Sequence, residues 1–440
     1  MNLIYGIKDK PKFSQLLVFA FQQVLAILAA TIAVPAIVGN GMSASAALFG
    51  AGVGTIVYQL FTKFRSPVFL GSSFAFIGSM VAAFAGAVSA SAGFAGLIIG
   101  AVFAGLVYVV IAAVVKFAGV KWINKLMPPV VIGPTVALIG LSLAGAAIKD
   151  VFSYGPQDAN GSFIMSAPAW ASFICAMVTL FVVVIVSTYG KKMIKLIPFI
   201  IGILAGYVVA IIFTLCGIPV IDFSLFQNMQ VFAVPEFTFL TALQGVKEID
   251  GSYIATVAVA YVPVAFVVFA EHIADHKNLS SIIGTDLLEE PGLHRTLLGD
   301  GVGSAVGAIF GGCPNTTYGE SVGCVAITRN ASVVTITVAA VMSIIISFFG
   351  PFVAFLDSIP GCVMGGVCTT LYGFIAVSGL KMIQKVDLNQ NKNLFVVASI
   401  LIPGIGGMAM AIGKVTLTAI ACSLILGIIT NLVLAKGSED

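Results

Sequence analysis

The chain has 440 residues, of which 59% are hydrophobic and only 9% are charged. Soluble domains carry about 25% charged residues, so the composition excludes a soluble globular protein and indicates an all-α polytopic protein of the lipid bilayer. The formal net charge of +3 gives no indication of a nucleic-acid partner.

Apolar runs of about 20 residues predict membrane-spanning helices, and fourteen such segments follow one another along the chain. Lys8, Lys10 and Lys12 precede the first run, which is too long for a signal peptide and is therefore predicted to be a span. The ninth and tenth segments are too short to cross the bilayer alone. The predicted segments are residues 14–38, 44–62, 67–85, 94–118, 129–148, 170–187, 196–216, 252–270, 297–310, 321–328, 333–349, 361–380, 394–412 and 415–435.

The positions of the basic residues test this count. With the N-terminus in the cytoplasm, all but three of the 21 Lys and Arg residues fall on the cytoplasmic side. The three that face outward are Lys149, Lys247 and Lys414. Because cytoplasmic loops carry an excess of Lys and Arg, this distribution favours fourteen spans with both termini in the cytoplasm.

The chain also contains an internal repeat. The pattern Pro-x-x-Val-(Ile/Met)-Gly opens the fifth span at Pro128 and the twelfth span at Pro360. A repeat of seven spans places the second copy upside down in the membrane, an arrangement that many transporters use. Residues 71–76 and 315–319 are a second similar pair, and both are small, hydroxyl-rich and aromatic. We therefore predict a 7+7 inverted repeat in which short extended strands break the third and tenth spans.

Glu320 is a carboxylate between two apolar stretches, where an ionised group costs roughly 2.5–3.5 kcal/mol at the bilayer centre. The residues before it, 311–319, are rich in Gly, Pro, Asn and Thr and do not favour a continuous helix. A broken helix at membrane depth is tolerated only where it is buried in protein or lines a cavity. Glu320 is thus a candidate binding residue, and a role as the N-terminal cap of the short tenth helix is compatible with binding.

A second acidic cluster follows the eighth predicted span. On a helix, Glu271 and Asp275 are i, i+4 neighbours on one face, and His272 and His276 share the adjacent face. The alternative for Glu271 is that it marks the cytoplasmic interface at the end of the span. The histidine pair lacks the HExxH order and a third ligand, and the seven cysteines form no CxxC motif, so we predict no metal site.

A pair of carboxylates beside two helix N-termini is chemically suited to a flat ring that has both hydrogen-bond donors and acceptors. A planar ring would give its N–H donors to Glu271 and Glu320, and its carbonyls would accept backbone N–H groups at the helix ends. The face of the ring would rest on Phe74 or Tyr318. A carboxyl group that holds a proton in one state and releases it in another would couple ligand movement to proton movement.

These residues resemble the signature of a known family. The resemblance is to the nucleobase–ascorbate transporter family, in its bacterial uracil permease branch, and it extends along nearly the whole chain. It rests on Asn315-Thr316-Thr317-Tyr318-Gly319-Glu320-Ser321-Val322-Gly323 with Ala326-Ile327-Thr328-Arg329, and on Gly71-Ser72-Ser73-Phe74-Ala75-Phe76, Ala270-Glu271-His272, Pro291-Gly292-Leu293-His294-Arg295 and Val363-Met364-Gly365-Gly366.

The resemblance implies a uracil–proton symporter of the inner (plasma) membrane that needs no cofactor. It implies a core domain (residues 1–125 and 252–350) and a gate domain (residues 126–217 and 351–440), with a homodimer formed through the gate domain. By position, Glu271 and Glu320 would bind the ring N–H groups, and the backbone at Phe74 and Gly319 would meet its carbonyls. The remaining implied roles are pocket lining by Tyr318 and Ala30, and proton coupling by Glu271, Asp275 and His276.

Three departures from the family pattern bear on these roles. Gln22-Gln23 stands where family members often have Gln-His, and Asp275 stands where some uracil permeases have a histidine. Ser321 replaces the usual Asn of the signature, whereas Glu320 itself resembles the pyrimidine members more than the xanthine or urate members.

Other functions remain open at this stage. A xanthine or purine permease of the same fold is the main alternative. An anion transporter is disfavoured because such proteins usually add a soluble C-terminal domain, and the last predicted span ends just before Asp440. A channel needs a continuous polar path, and an enzyme needs a nucleophile–base pair or a metal cluster; the sequence has no motif of either kind.

Overall fold

The computed structural model describes residues 3–119, 128–191, 194–227, 229–412 and 415–436. The predicted cytoplasmic positions of Lys121, Lys125 and Lys192, the outward position of Lys414 and the predicted domain boundary between residues 125 and 126 lie outside these ranges. The described chain is mostly helical.

In the part of the chain that the structure describes, eight α-helices and one strand precede the long loop that ends near residue 237. They are α1 (Phe13–Val38), α2 (Ala44–Phe61), β1 (Leu70–Ser72), α3 (Ile77–Ala85), α4 (Ala90–Ala118), α5 (Pro129–Ser142), α6 (Ala144–Val151), α7 (Ala167–Tyr189) and α8 (Pro198–Leu215). A 3₁₀ turn, Phe74–Phe76, leads into α3.

The second half of the described chain also combines long helices with short ones. Its elements are α9 (Thr238–Gly245), α10 (Gly251–Ile283), α11 (Leu293–Gly311), β2 (Asn315–Thr317), α12 (Gly319–Thr328), α13 (Val333–Ile346), α14 (Gly350–Asp357), α15 (Gly361–Ile383), α16 (Asn391–Ile405), β3 (Met410–Ile412), β4 (Val415–Leu417) and α17 (Ala419–Lys436). Short turns of 3₁₀ or π helix connect several of them.

Within the described residues, 8 helices are long and apolar enough to cross a membrane. The shorter apolar helices include residues 74–85, 333–346, 391–405 and 419–434. Every predicted segment contains a helix, but the count of fourteen spans, their inverted arrangement and the breaking of two of them by strands stay predictions.

Two helices are longer than the sequence predicts. The apolar run of the eighth segment stops at residue 270, yet α10 continues to Ile283 over 33 residues, because His272 and His276 find polar partners inside the protein. The predicted ninth segment is too short to span, whereas α11 has 19 residues. Its polar first turn breaks the hydropathy pattern but not the helix.

The two strands place the broken helices against each other. β1 and β2 pair antiparallel, with Leu70 opposite Thr317 and Ser72 opposite Asn315. Each strand runs within a few residues into a helix, so α3 and α12 start at opposite ends of a ladder only about 10 Å long. Their N-terminal N–H groups, which have no partner inside the helix, therefore lie close to one another.

Glycines allow α2 and α11 to pack at backbone contact. A Cβ atom at Gly54 would lie 2.7 Å from the carbonyl oxygen of Gly303, and one at Gly50 would lie 2.4 Å from that of Gly307. Asn315 at the start of β2 fills the remaining space, and its Nδ2 donates to the Gly50 carbonyl at 2.9 Å. This packing fixes β2 against two long helices.

The helices pack in two groups. α2 and α4 pack extensively on α11, and α13 packs on α1 and α2. Independently of these, α15 packs on α5 and α7, α7 packs on α8, and α16 packs on α5 and α17. The strand pair β1–β2 belongs to the first group. Helices of that group also contact the second group: α10 contacts α5 and α17, and α1 contacts α8 and α15.

Candidate functional site

A cavity of about 480 Å³ lies where the two broken helices begin. Its wall on one side comes from the two strand–helix junctions, residues 73–75 and 316–320, and from α10. The opposite wall comes from α5, α8 and α15. This volume falls in the usual range for small-molecule sites, about 300–1,000 Å³.

Glu271 and Glu320 both line this cavity, although 49 positions separate them in the sequence. Glu271 lies inside α10, about three turns before the helix ends at Ile283. Glu320 lies in the first turn of α12, where the helix dipole favours a negative charge. The structure therefore brings together the two carboxylates that the sequence singled out.

Asp275 lies one turn after Glu271 and lines the same cavity. Its Oδ2 accepts a hydrogen bond from the Thr317 hydroxyl at 2.9 Å. A Cβ atom on Gly319 would lie 3.8 Å from Asp275 Oδ1, so the carboxyl group faces the start of α12. Asp275 thus links α10 to the strand–helix junction that carries Glu320.

The predicted aromatic residues flank the site. Phe74 lines the cavity at the start of the 3₁₀ turn, and its ring meets Tyr372 edge to face at 6.4 Å. Tyr318 lines it from the other junction, and its hydroxyl donates to the Ser72 carbonyl at 2.6 Å across the two strands. Gly319, the first residue of α12, is exposed to the cavity.

Tyr318 is held in place by a glycine on the neighbouring strand. A Cβ atom at Gly71 would lie 2.4 Å from the Tyr318 ring, which leaves no room for a side chain. We expect Gly71→Ala to push this ring away, to break its hydrogen bond to Ser72 and to destabilise the protein by about 1–3 kcal/mol. The melting temperature of the purified protein measures this loss.

Gly323 offers the matched control for that substitution. It lies inside α12, and a Cβ atom there would meet nothing within 4 Å. Gly323→Ala is expected to leave the melting temperature unchanged or to raise it slightly, because alanine favours helix. An equal melting temperature for the parent protein and Gly71→Ala would contradict the tight contact.

Two predicted site residues lie outside the cavity lining. Ala30 is buried in α1, in the same apolar cluster as Tyr318. His276 is fully buried on the side of α10 that packs against α2, where its Nε2 lies 2.7 Å from the Tyr58 hydroxyl and its Nδ1 lies 2.8 Å from the His272 carbonyl oxygen. Its ring stacks on that of His272, with centroids 4.0 Å apart.

Asp300 is a buried carboxylate that the sequence reasoning passed over. Its Oδ2 lies 2.7 Å from His272 Nδ1, and His272 Nε2 lies 2.9 Å from the Thr296 hydroxyl. The Thr296 hydroxyl also lies 3.1 Å from the Leu293 carbonyl oxygen, so Asp300, His272 and Thr296 form one buried hydrogen-bonded chain. The signal was present, since Asp300 is a carboxylate in an otherwise Gly-rich and apolar run.

Two of the residues that depart from the family pattern, Gln23 and Ser321, form hydrogen bonds near the cavity. The Gln23 side chain approaches the start of α12, where its Nε2 donates to the Ser321 carbonyl at 3.4 Å. The Ser321 hydroxyl accepts the N–H of Phe69, just before β1, at 3.1 Å. Both residues therefore contact the strand–helix junctions themselves.

The two walls of the cavity differ sharply in polarity. All the acidic groups and most of the hydroxyl groups belong to the junctions and to α10. The facing wall is apolar apart from Ser378 of α15, and it consists of Ile132, Val136, Ile139, Phe199, Leu371, Phe374, Ile375 and Met382. Within the described residues, no three His, Cys, Asp or Glu side chains come together as a metal site.

Solved structures share this architecture at low sequence identity. The transmembrane domain of the cyanobacterial bicarbonate transporter BicA is 15% identical, with a TM-score of 0.63 over 97% of this chain and 100% of that chain. The murine anion transporter Slc26a9 in its inward-facing state is 12% identical, with a TM-score of 0.69 over 98% of this chain and 69% of that chain. At these identities the likeness shows the fold alone.

The bilayer-long apolar helices define a multi-pass membrane protein. The Permease family model Xan_ur_permease matches residues 14–413. The chain belongs to this family, the nucleobase–ascorbate transporters, which confirms the resemblance seen in the signature residues.

Curated relatives match over nearly their whole length. The uracil permease of Bacillus caldolyticus is 39% identical over 98% of this chain and 94% of that protein. The uracil permease of Bacillus subtilis (strain 168) is 37% identical over 99% and 96%, and that of Escherichia coli (strain K12) is 34% identical over 97% and 93%. All three relatives are named as permeases.

Proposed function

We propose that this protein is a uracil permease of the inner (plasma) membrane that couples uptake to protons. The observation that carries the proposal is that Glu271 and Glu320 line one cavity at the start of two broken helices. The names of the curated relatives support uracil as the substrate.

The chemistry of uracil fits the groups on the polar wall. Uracil is a flat ring with two N–H donors and two carbonyl acceptors. The carboxylates of Glu271 and Glu320 accept the N–H groups, and the backbone N–H groups at Phe74 and Gly319 donate to the carbonyls, because the first turns of helices leave such donors free. The Tyr318 ring flanks the bound base, and Ala30 acts through its packing in the cluster that holds Tyr318.

The proposed transport cycle moves one helix group against the other. The core domain (residues 1–125 and 252–350) carries the polar groups, and the gate domain (residues 126–217 and 351–440) presents the apolar wall. This wall, which is apolar apart from Ser378, lets the loaded core slide past, so alternating access does not require the substrate to change hydrogen-bonding partners. The packing of the helices in two groups supports this division.

The orientation follows from the basic residues. With both termini in the cytoplasm, the cavity-lining residues of α15, from Leu371 to Met382, lie in its cytoplasmic half. The cavity of this structure then opens inward, and a second state opens it outward. By the same family resemblance, we assign a homodimer formed through the gate domain.

Proton coupling is assigned to the acidic face of α10. Glu271 and Asp275 are i, i+4 neighbours that line the cavity, and like charges this close repel each other in a medium of low dielectric constant. A proton on one of them relieves this repulsion, and its loss in the other state links proton release to substrate release. His276 lies outside the cavity and is assigned a supporting role through Tyr58.

Uptake of labelled uracil by cells that lack their own permease tests the proposal. Cells that express this protein are expected to accumulate label, and unlabelled uracil but not xanthine is expected to compete. Competition by xanthine alone would identify a purine permease. Uptake of bicarbonate without uracil uptake would identify an anion transporter, the activity for which the two structural neighbours are named.

A further inference from the structure

Residues 3–12 precede α1 and lie against the turn that joins α12 to α13. The backbone N–H groups of Ile4 and Tyr5 donate to the Arg329 carbonyl at 2.8 and 3.3 Å. In the other direction, the N–H of Ala331 donates to the Tyr5 carbonyl at 2.9 Å and that of Val333 donates to the Ile7 carbonyl at 3.1 Å. This segment thus forms a short ladder with residues 329–333.

The ladder satisfies the ends of two helices at once. Arg329 ends α12 in a left-handed conformation, with φ 56°, and Val333 begins α13. Helix ends leave carbonyl and N–H groups without partners, and Ala331, Ser332 and Val333 are only 0%, 1% and 3% exposed. The Ser332 hydroxyl does not cap α13 but donates to the Asp9 carbonyl at 2.6 Å. Residues 3–12 therefore supply hydrogen-bond partners for polar groups in this turn that are buried away from water.

Side chains of the same segment tie it to neighbouring helices. Leu3 packs against a buried cluster that includes Val322 and Val325 of α12. The Tyr5 hydroxyl donates to Gln15 Oε1 at 2.6 Å, and its ring meets Phe19 of α1 edge to face at 6.1 Å. The segment is thus fixed both to α1 and to the far end of α12.

We propose that residues 3–12 act as a strap that holds the C-terminal end of α12 and thereby sets the depth of Glu320 in the cavity. α12 has 10 residues and is about 15 Å long, and a helix this short transmits an axial shift from one end to the other. Strap residues are positioning residues, because they never touch the substrate. The proposal rests on the proposed binding role of Glu320.

Ile4→Pro is the test, because proline removes the N–H that bonds to Arg329. A looser strap lets the start of α12 shift, so the KM for uracil uptake is expected to rise about fivefold, the size of effect of one lost hydrogen bond. The maximal rate per molecule in the membrane is expected to stay within about twofold of the parent. A general loss of folding would instead lower the amount of protein and leave KM unchanged.

Lys12→Pro is the matched control. Lys12 already has φ −58°, which proline favours, and within the described residues its backbone N–H makes no hydrogen bond. The KM of the Lys12→Pro variant for uracil uptake is expected to equal that of the parent. An unchanged KM in Ile4→Pro, or an equal rise in both variants, would overturn the proposal. If Ile4→Pro does not reach the membrane, Ser332→Ala replaces it, with an expected rise of about twofold and an unchanged KM as the overturning result.

Hydrogen exchange of the purified protein tests the strap without depending on which substrate the protein transports. In Ile4→Pro, the amides of Ala331 and Val333 are expected to exchange at least about tenfold faster than in the parent, because their acceptors belong to the strap. Equal exchange would show that the strap does not hold this turn. A parent protein that takes up no uracil but shows this change would refute the proposed function and leave the strap intact.

Discussion

Replacing Glu320 with glutamine is expected to reduce uracil uptake at least about 100-fold, which corresponds to about 2.7 kcal/mol. Glutamine keeps the size of the side chain but removes the negative charge that accepts a ring N–H. Hydrogen bonds to charged groups contribute roughly 1.5–3 kcal/mol, and a buried donor left without a partner adds to the loss. Uptake of labelled uracil, normalised to the protein in the membrane, measures the effect.

Glu289→Gln is the control for the same chemical change. Glu289 is exposed in the turn between α10 and α11, away from the cavity lining. This variant is expected to transport like the parent. Normal uptake by Glu320→Gln at an equal membrane level would remove Glu320 from the binding site.

A protonophore is expected to collapse uracil accumulation to the external concentration. One pH unit contributes about 1.4 kcal/mol per proton, and a potential of 100 mV contributes about 2.3 kcal/mol per charge. Together they support an accumulation of roughly 500-fold for one proton per uracil. The ratio of internal to external label, measured before and after the protonophore is added, gives this value directly.

Sodium replacement distinguishes the coupling ion. Accumulation is expected to persist when choline replaces sodium at a constant pH gradient. Accumulation that survives the protonophore and disappears without sodium would reject the assignment of Glu271 and Asp275 to proton coupling.

The position of the cavity carboxylates was predictable because a carboxylate in an apolar run is rare in a membrane protein. Glu320 is costly in an apolar environment, and the Gly- and Pro-containing run before it predicts a helix break. The i, i+4 spacing of Glu271 and Asp275 places them on one face, and the structure has both in the cavity. Asp300 carried the same signal, a carboxylate in an apolar run, and was found only through its hydrogen bond to His272.

Other features depend on contacts that spacing does not encode. The sequence assigned His272 and His276 to a second face of α10, but only the packing of α11 and α2 shows that this face is internal. The sequence places the end of α10 too early because a hydropathy scale counts every histidine as polar. Such a scale does not register that a histidine can be buried when it has hydrogen-bond partners inside the protein. The ladder at residues 3–12 is formed by backbone groups, so no side-chain pattern predicts it.

The decisive experiment is a structure of the protein with bound uracil. We expect one carboxylate oxygen of Glu271 and one of Glu320 each to lie about 2.7–3.2 Å from a ring nitrogen of the same uracil molecule. A uracil that contacts only one of these carboxylates, or that binds outside this cavity, would contradict this expectation.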